Sequence, residues 1–498
     1  MVEHGADVNA TDNDGMKVLH YAAQKNKLDV VQWLVEHGAD VNATGNYGKT
    51  VLHYAAQKNK LDVVQWLVEH GADVNATGNY GKTVLHYAAQ ENKLDVVQWL
   101  VEHGADVNAT DNYGRTVLHY AAEENKWDVV QWLVEHGADV NATDNYGMKV
   151  LHYAAQENKW DVVQCLVEHG ADVNATDNYG MKVLHYAAQE NKLDVVQWLV
   201  EHGADVNATN KDAMKVLHYA AQKNKLDVVQ WLVEHGADVN ATNKDGRTVL
   251  HYAAQKNKLD VVQWLVEHGA DVNATNKDGM MVLHYAAQEN KLDVVQWLVE
   301  HGADVNATNK DGRTVLHYAA QKNKLDVVQW LVEHGADVNA TNKDGRTVLH
   351  YAAQWNKLDV VQWLVEHGAD VNATNKDGMT MLHYAAQWNK LDVVQWLVEH
   401  GKANVEATDN DGMTVLHYAA QENKLDVVQW LVEHGADVNA TNKYGIKGLH
   451  YASQKNKLDV VQWLMEHGAA VNATNKDGIT AGFLNEIVQF KFPMAKFK

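Results

Sequence analysis

The residues with the greatest chemical potential in this chain are its 29 histidines. Imidazole ligates metals and moves protons near neutral pH, so such a density invites a metal or acid–base reading. The spacing argues against both. Fourteen histidines lie in Leu-His-Tyr, from His20, His53 and His86 to His450, and fifteen in Glu-His-Gly, from His4 and His37 to His467. Neighbours within each column are 33 residues apart, save one step of 34. A metal site needs donors that converge once, with a Cys or carboxylate completing the set. A residue copied identically along the whole chain instead marks a structural position, so no metal and no cofactor are expected.

Other chemistry fares no better. Asp29 and Glu36 lie seven apart and recur in every unit, whereas carboxylates paired for acid–base work are singular and sequestered. There is no Gly-rich phosphate loop, Gly-x-Ser-x-Gly elbow or His-Glu-x-x-His motif. The single cysteine, Cys165, rules out a disulfide within the chain and a cysteine-based zinc site. It stands where thirteen other units have tryptophan, as at Trp132 and Trp198, and reads as a buried replacement rather than a reactive thiol. The chain is therefore not expected to be an enzyme.

Bulk properties narrow the partners. A formal charge of −22 argues against nucleic acid and against an anionic membrane surface, both of which need a basic face. The same charge repels copies of the chain, which suits a soluble monomer. No apolar run approaches the roughly 20 residues that span a bilayer, and Met1-Val2-Glu3-His4-Gly5 is no signal peptide. The expected location is cytoplasmic, in a reducing compartment, without membrane insertion.

The columns require elements to position them, and one period, Asp12 to Thr44, shows which. Asp12-Asn13-Asp14-Gly15 has the form of a type I turn. Lys17 to Lys25 is short but compatible with a helix, and its Ala22-Ala23 pair permits close packing. Asn26-Lys27 breaks it, since Asn tolerates the left-handed conformation of a tight interhelix turn. Leu28, Val31, Leu34 and Val35 mark one face of a second helix ending at His37, with Gly38 as its C-cap. Ala39 to Thr44 is an extended arm into the next turn. Repeats of this size cannot bury their apolar faces alone and must stack.

These units resemble ankyrin repeats. The family pattern D-x-x-G-x-T-P-L-H-x-A-A, followed by L-x-V-V-x-L-L-x-x-G-A-D-V-N-A, is matched by Asp311-Gly312-Arg313-Thr314-Val315-Leu316-His317-Tyr318-Ala319-Ala320 and by Leu325 to Ala340. The resemblance covers nearly all of positions 5 to 480 and recurs fourteen times. It implies an all-α repeat solenoid of helix-turn-helix units with projecting β-hairpin fingers. It also implies that the first histidine column bonds the backbone of the turn and the second ties adjacent repeats. Two departures stand out. The family's proline before Leu-His is Val in most copies (the only proline is Pro493), and its interhelix glycine is Asn26, Asn59 and so on. Asn42, Asn75 and Asn108 stand where the family can be hydroxylated by an asparaginyl hydroxylase. A structural asparagine satisfying the arm is the preferred reading.

Function has to lie in the differences between copies. Variation concentrates at the turn tip, at the residue after the turn glycine and at the end of the first helix, which the resemblance identifies as the partner-binding surface; drift at exposed positions gives the same pattern. Tyr47, Tyr80, Tyr113, Tyr146 and Tyr179 give five consecutive aromatic tips, which change to Lys-Asp from Lys211 to Lys376. The first helix ends in Trp355 and Trp388 in two adjacent copies. Exposed aromatics in a row suit a protein partner, with the tryptophans as first candidates and the tyrosines as second. Trp127 and Trp160 replace the Leu28-column residue and are read as core. By position, residues 1–14 are the end of a preceding unit, 15–478 hold fourteen tandem repeats, and 479–498 are a degenerate fifteenth unit with a Phe-rich tail. The expected function is a non-catalytic protein–protein interaction scaffold. The alternatives are the targeting portion of a longer enzyme or channel, or an elastic structural spacer.

Overall fold

A computed structural model describes residues 7–470, so the Phe-rich tail lies outside the described residues. The chain falls into two units, up to residue 244 and from residue 245 onward. Among the described residues there are 28 α-helices in pairs and no multi-residue strand. In the first unit the pairs run from Val18–Gln24 with Leu28–Glu36 to Val216–Gln222 with Leu226–Glu234. In the second they run from Val249–Gln255 with Leu259–Glu267 to Gly448–Gln454 with Leu458–Glu466. The all-α repeat architecture expected from the period is therefore what the chain forms.

Local chemistry accounts for each element. In the turn, Asp12 Oδ1 accepts the N–H groups of Asp14 and Met16, at 2.9 Å each, and closes the loop on itself. The hairpin fingers are minimal, each a single antiparallel bridge such as Thr44 with Thr50. Every interhelix asparagine described adopts positive φ, from Asn26 at 57° to Asn456 at 56°, as the tight turn demands. Val51, Leu52, Ala55, Ala56, Val63, Val64 and Leu67 of a typical repeat are buried and form its share of the core. The alanines remove bulk between first helices, which pack more closely on one another than the second helices do.

Polar groups join one repeat to the next in three ways. The buried His53 accepts the Thr50 N–H at Nδ1, 3.0 Å, which caps its own helix. That bond leaves the proton on Nε2, which donates to Lys82 O of the following repeat, 3.3 Å. In the second unit His317 bonds Arg346 O in the same way, at 3.2 Å. The arm asparagine is the second joint. Asn42 Nδ2 donates to Gly71 O, 2.9 Å, while its Oδ1 accepts the Asp73 N–H, 2.9 Å. The third is main chain alone: the Asn79 N–H donates to Tyr47 O, 2.8 Å, and the Lys310 N–H to Asp278 O, 2.8 Å.

The second histidine column corrects an expectation. His37 Nδ1 donates to Trp33 O of its own helix, 2.7 Å, and its ring stacks on Trp33 at 4.0 Å. It finishes the helix end by satisfying one of the last carbonyls. The asparagine, not this histidine, ties neighbouring arms.

Turn glycines serve two purposes. Gly312 has φ +76°, and a Cβ there would stand 2.9 Å from the Lys343 backbone nitrogen. Ala213 occupies the same place with φ 56° and so carries a methyl group in a left-handed conformation. Ala213→Gly is expected to raise stability by about 1 kcal/mol, measured by urea unfolding followed by circular dichroism. The histidine column sets a pH dependence. Burial holds His53, His86, His119, His185, His284, His317 and His350 down to about 4, against an ordinary value of 6.5. These rings fold neutral, so between those values the unfolded chain binds more protons than the folded one. Stability is complete above pH 6.5 and is lost as pH falls toward 4, by roughly 3 kcal/mol for each histidine. Urea midpoints at pH 7, 6 and 5 should fall steadily; a flat profile across that window would contradict the neutral, buried column.

Candidate partner-binding surface

Side chains that the joints leave exposed are the candidates for partner contact. At the tips the joint uses backbone, so the side chains are released. Tyr47, Tyr80, Tyr113, Tyr146 and Tyr179 are between 47% and 65% exposed, and their hydroxyls make no hydrogen bond among the described residues. Their spacing is imposed by the tip ladder of the first unit, from the Asn79 N–H bonded to Tyr47 O to the Lys211 N–H bonded to Tyr179 O. Asn112, Asn145 and Asn178 reinforce it, each side-chain amide donating to the carbonyl of the preceding tip asparagine at 3.1–3.2 Å. One further aromatic tip, Tyr444 in the second unit, is equally exposed. Its sequence signal is Lys443-Tyr444-Gly445, overlooked because it stands apart from the block of five.

Trp355 and Trp388 are 51% and 53% exposed. They are the C-cap residues of adjacent first helices, Val348–Gln354 and Met381–Gln387, which pack on each other. Packed helices lie about 8–10 Å apart, so the indoles form a pair one repeat wide. Tip and C-cap stand at opposite ends of a seven-residue helix, about 10 Å long at 1.5 Å per residue. Tip tyrosines and C-cap tryptophans are thus two separate edges of the repeat.

The residue after the turn glycine, expected to vary because it meets partners, is built into the joints instead. Arg313 has its guanidinium carbon 4.2 Å from the ring centre of Tyr318 and 4.4 Å from that of Tyr351 in the next repeat, and it also bonds Gln321. Arg115 lies between Tyr120 and Tyr153, at 4.3 and 4.5 Å, and pairs with Glu123. Lys49 reaches across to Tyr87 at 3.9 Å. Where this residue is methionine it is buried at Met16, Met181, Met379 and Met413 and half-buried at Met148, Met214 and Met280. A cation between two π faces and a methionine side chain are alternative fillings of this position.

Trp127 and Trp160 also need correction. Trp127 is 36% exposed and Trp160 half-buried, so neither is core. Helical periodicity put their column on the apolar face, but it sits at the first turn of the second helix, where the neighbouring repeat covers it only in part. Cys165 is buried as expected, and burial together with Glu168 and Glu135 pushes its thiol up to about 11. It is therefore protonated and unreactive at neutral pH.

The first-column histidines spend their ring nitrogens on the joints. In the first column both ring nitrogens are engaged, one accepting and one donating. Among the described residues no three His, Cys, Asp or Glu gather in ligating positions. No helix among them is long and apolar enough to cross a membrane.

Comparison with known families agrees with this geometry. The family model for ankyrin repeats, three copies per model, matches the chain in eight overlapping segments spanning residues 1–477. The chain belongs to the ankyrin-repeat family. No curated protein matches it. As an ankyrin-repeat array it is of a kind that generally mediates protein–protein interaction. Asn42, Asn75 and Asn108, where the family can be hydroxylated, are the arm joints: each donates to a glycine carbonyl of the next repeat at 2.9–3.1 Å. A modifying enzyme would have to act on an arm drawn out of that pairing.

The two classes of position separate in a stability measurement. Arg313→Ala should cost about 1–2 kcal/mol, through lost cation–π contact and lost packing of its stem. Tyr113→Ser should change stability by no more than about 0.5 kcal/mol. Chemical unfolding of the two variants beside the parent checks both, and a larger loss for the tyrosine would place the tips inside the joints.

Proposed function

We propose that the array is a non-catalytic scaffold that binds protein partners through exposed aromatic anchors on a rigid frame, as a monomer in the cytoplasm. The observation that carries this reading is the pair Trp355 and Trp388, each more than half exposed on adjacent packed helices. Large apolar side chains held in the open without an intramolecular partner are the residues on which interface energy concentrates. The tyrosine tips of the first unit offer a second set of anchors, amphipathic and regularly spaced. Rigidity favours binding because little freedom remains to be lost. A net charge of −22 supports both solubility and a basic partner surface. A protonated buried thiol at Cys165 is compatible with a reducing compartment.

The intact chain, immobilised and exposed to cytosolic extract, should retain a defined set of proteins by quantitative mass spectrometry. Trp355→Ala/Trp388→Ala should weaken retention of at least one of them tenfold or more, with unchanged circular dichroism. Equal retention by parent and variant would remove the tryptophans as anchors. Retention of nothing above background by the parent would instead favour a structural spacer.

A further inference from the structure

One place on the second helices departs from the regular pattern. The residue that opens each second helix is Leu in twelve repeats and Trp in two, Trp127 and Trp160. Trp160 meets Trp198 of the following repeat, 38 residues on, edge to face, with ring centres 6.0 Å apart and planes at 75°. The residue 38 positions after Trp127 is Cys165, where the tryptophan column is interrupted. Of all these pairs along the chain, Trp160 and Trp198 are thus the one in which both members are tryptophan.

The two indoles wall an open cleft of about 270 Å³ whose remaining lining is Asp194, Gln197 and Glu201. These three side chains and Trp198 share one face of the helix Leu193–Glu201, at the i, i+3, i+4, i+7 spacing that aligns residues on a helix. The Trp198 ring is held in place by stacking on His202 at 3.9 Å. Among the described residues neither carboxylate enters an ion pair or a side-chain hydrogen bond. The site therefore offers two π faces nearly at right angles, whose indole nitrogens only donate, beside the unneutralised negative charge of Asp194 and Glu201 and the amide of Gln197.

That combination selects a cation, and a particular kind. A primary ammonium is compact and strongly hydrated, and the two ring walls replace none of its water, which leaves Asp194, Gln197 and Glu201 as its only acceptors. A methylated ammonium has no such demand, spreads its charge over its methyl groups and fills a small cavity between aromatic faces, where cation–π attraction is strongest for tryptophan. We propose that the Trp160–Trp198 cleft binds a methylated ammonium group. The group can be carried by a modified lysine of a partner protein or by a free quaternary amine, and the two sources share the chemistry recognised here.

Calorimetric titration of the full chain tests this with defined probes: tetramethylammonium, choline, a trimethyl-lysine peptide, the same peptide with unmodified lysine, and 3,3-dimethylbutan-1-ol as the uncharged shape mimic of choline. The quaternary ions should bind, and the uncharged mimic and unmodified peptide at least tenfold more weakly. Trp160→Leu, which installs the residue twelve other repeats carry and so leaves the array folded, should lower affinity at least tenfold. Tighter binding of the trimethyl-lysine peptide than of choline assigns the group to a partner protein, and the reverse order assigns it to a small solute. Equal binding of the uncharged mimic, unchanged binding by Trp160→Leu, or no binding of any quaternary ion at millimolar concentration would overturn the proposal.

Discussion

A typical repeat buries a neutral imidazole whose second nitrogen is satisfied by its neighbour. His53 is fully buried, its Nδ1 is occupied by its own helix cap, and its Nε2–H finds an acceptor 29 residues further along the chain. A repeat cut from the array would leave that donor unpaired in an apolar setting, at about 1–3 kcal/mol. The arm asparagine adds two more bonds across the same joint, and the tip backbone a third. Apolar stacking supplies the drive to associate, but these bonds fix the register, because each has one partner at one distance. Stability in such an array is a property of joints more than of units.

The joint at the 34-residue step shows what happens when the register is disturbed. Gly401 no longer takes positive φ there, and Lys402 does so instead, at 57°. Trp396 and His400 separate to 5.9 Å, where other pairs stack near 3.8 Å. Glu406 then stands in the asparagine column. It still accepts the Asp437 N–H, at 2.7 Å, but a carboxylate has no proton to donate to the following glycine carbonyl. One extra residue thus shifts a left-handed cap onto a residue with a side chain, while one substitution removes half of an arm joint.

Much of this was legible in the sequence, and the failures share a cause. The helices and the asparagine turns follow from spacing and residue type within a single period, and the bond of the Leu-His-Tyr column to the turn backbone follows from the family resemblance. What a period cannot display is the offset between a residue and its partner in the next one. The second histidine column looked like a tie between repeats, yet its partner is the tryptophan four residues before it. Arg313 looked like a free surface cation until Tyr351 of the following repeat closed over it. Trp127 and Trp160 looked buried because a helical wheel shows which face is apolar, not how far the neighbour's cover extends. Offsets of 29, 31 and 38 residues are facts about pairs of repeats. Only the fold puts both members in view.

The same distinction explains why the variable positions lie where they do. A joint made by side chains narrows the choice to residues that can form it: His in one column, Asn in another save Glu406, and a cation or methionine after the turn glycine save Ile446. At the tip the joint is an N–H and a C=O, which every residue but proline supplies. The tip therefore changes from Asn-Tyr, at Tyr47 to Tyr179, to Lys-Asp, from Lys211 to Lys376, while the main-chain bond keeps its length, 2.8 Å at Asn79 to Tyr47 and 2.8 Å at Lys310 to Asp278. The first-helix C-cap is free for a related reason. Trp355 and Trp388 keep the backbone bond to Tyr351 and Tyr384 that Lys and Glu make elsewhere, and their side chains take no part in it. Positions whose structural duty is carried by the main chain are the ones at which new surface chemistry can appear without loosening the array.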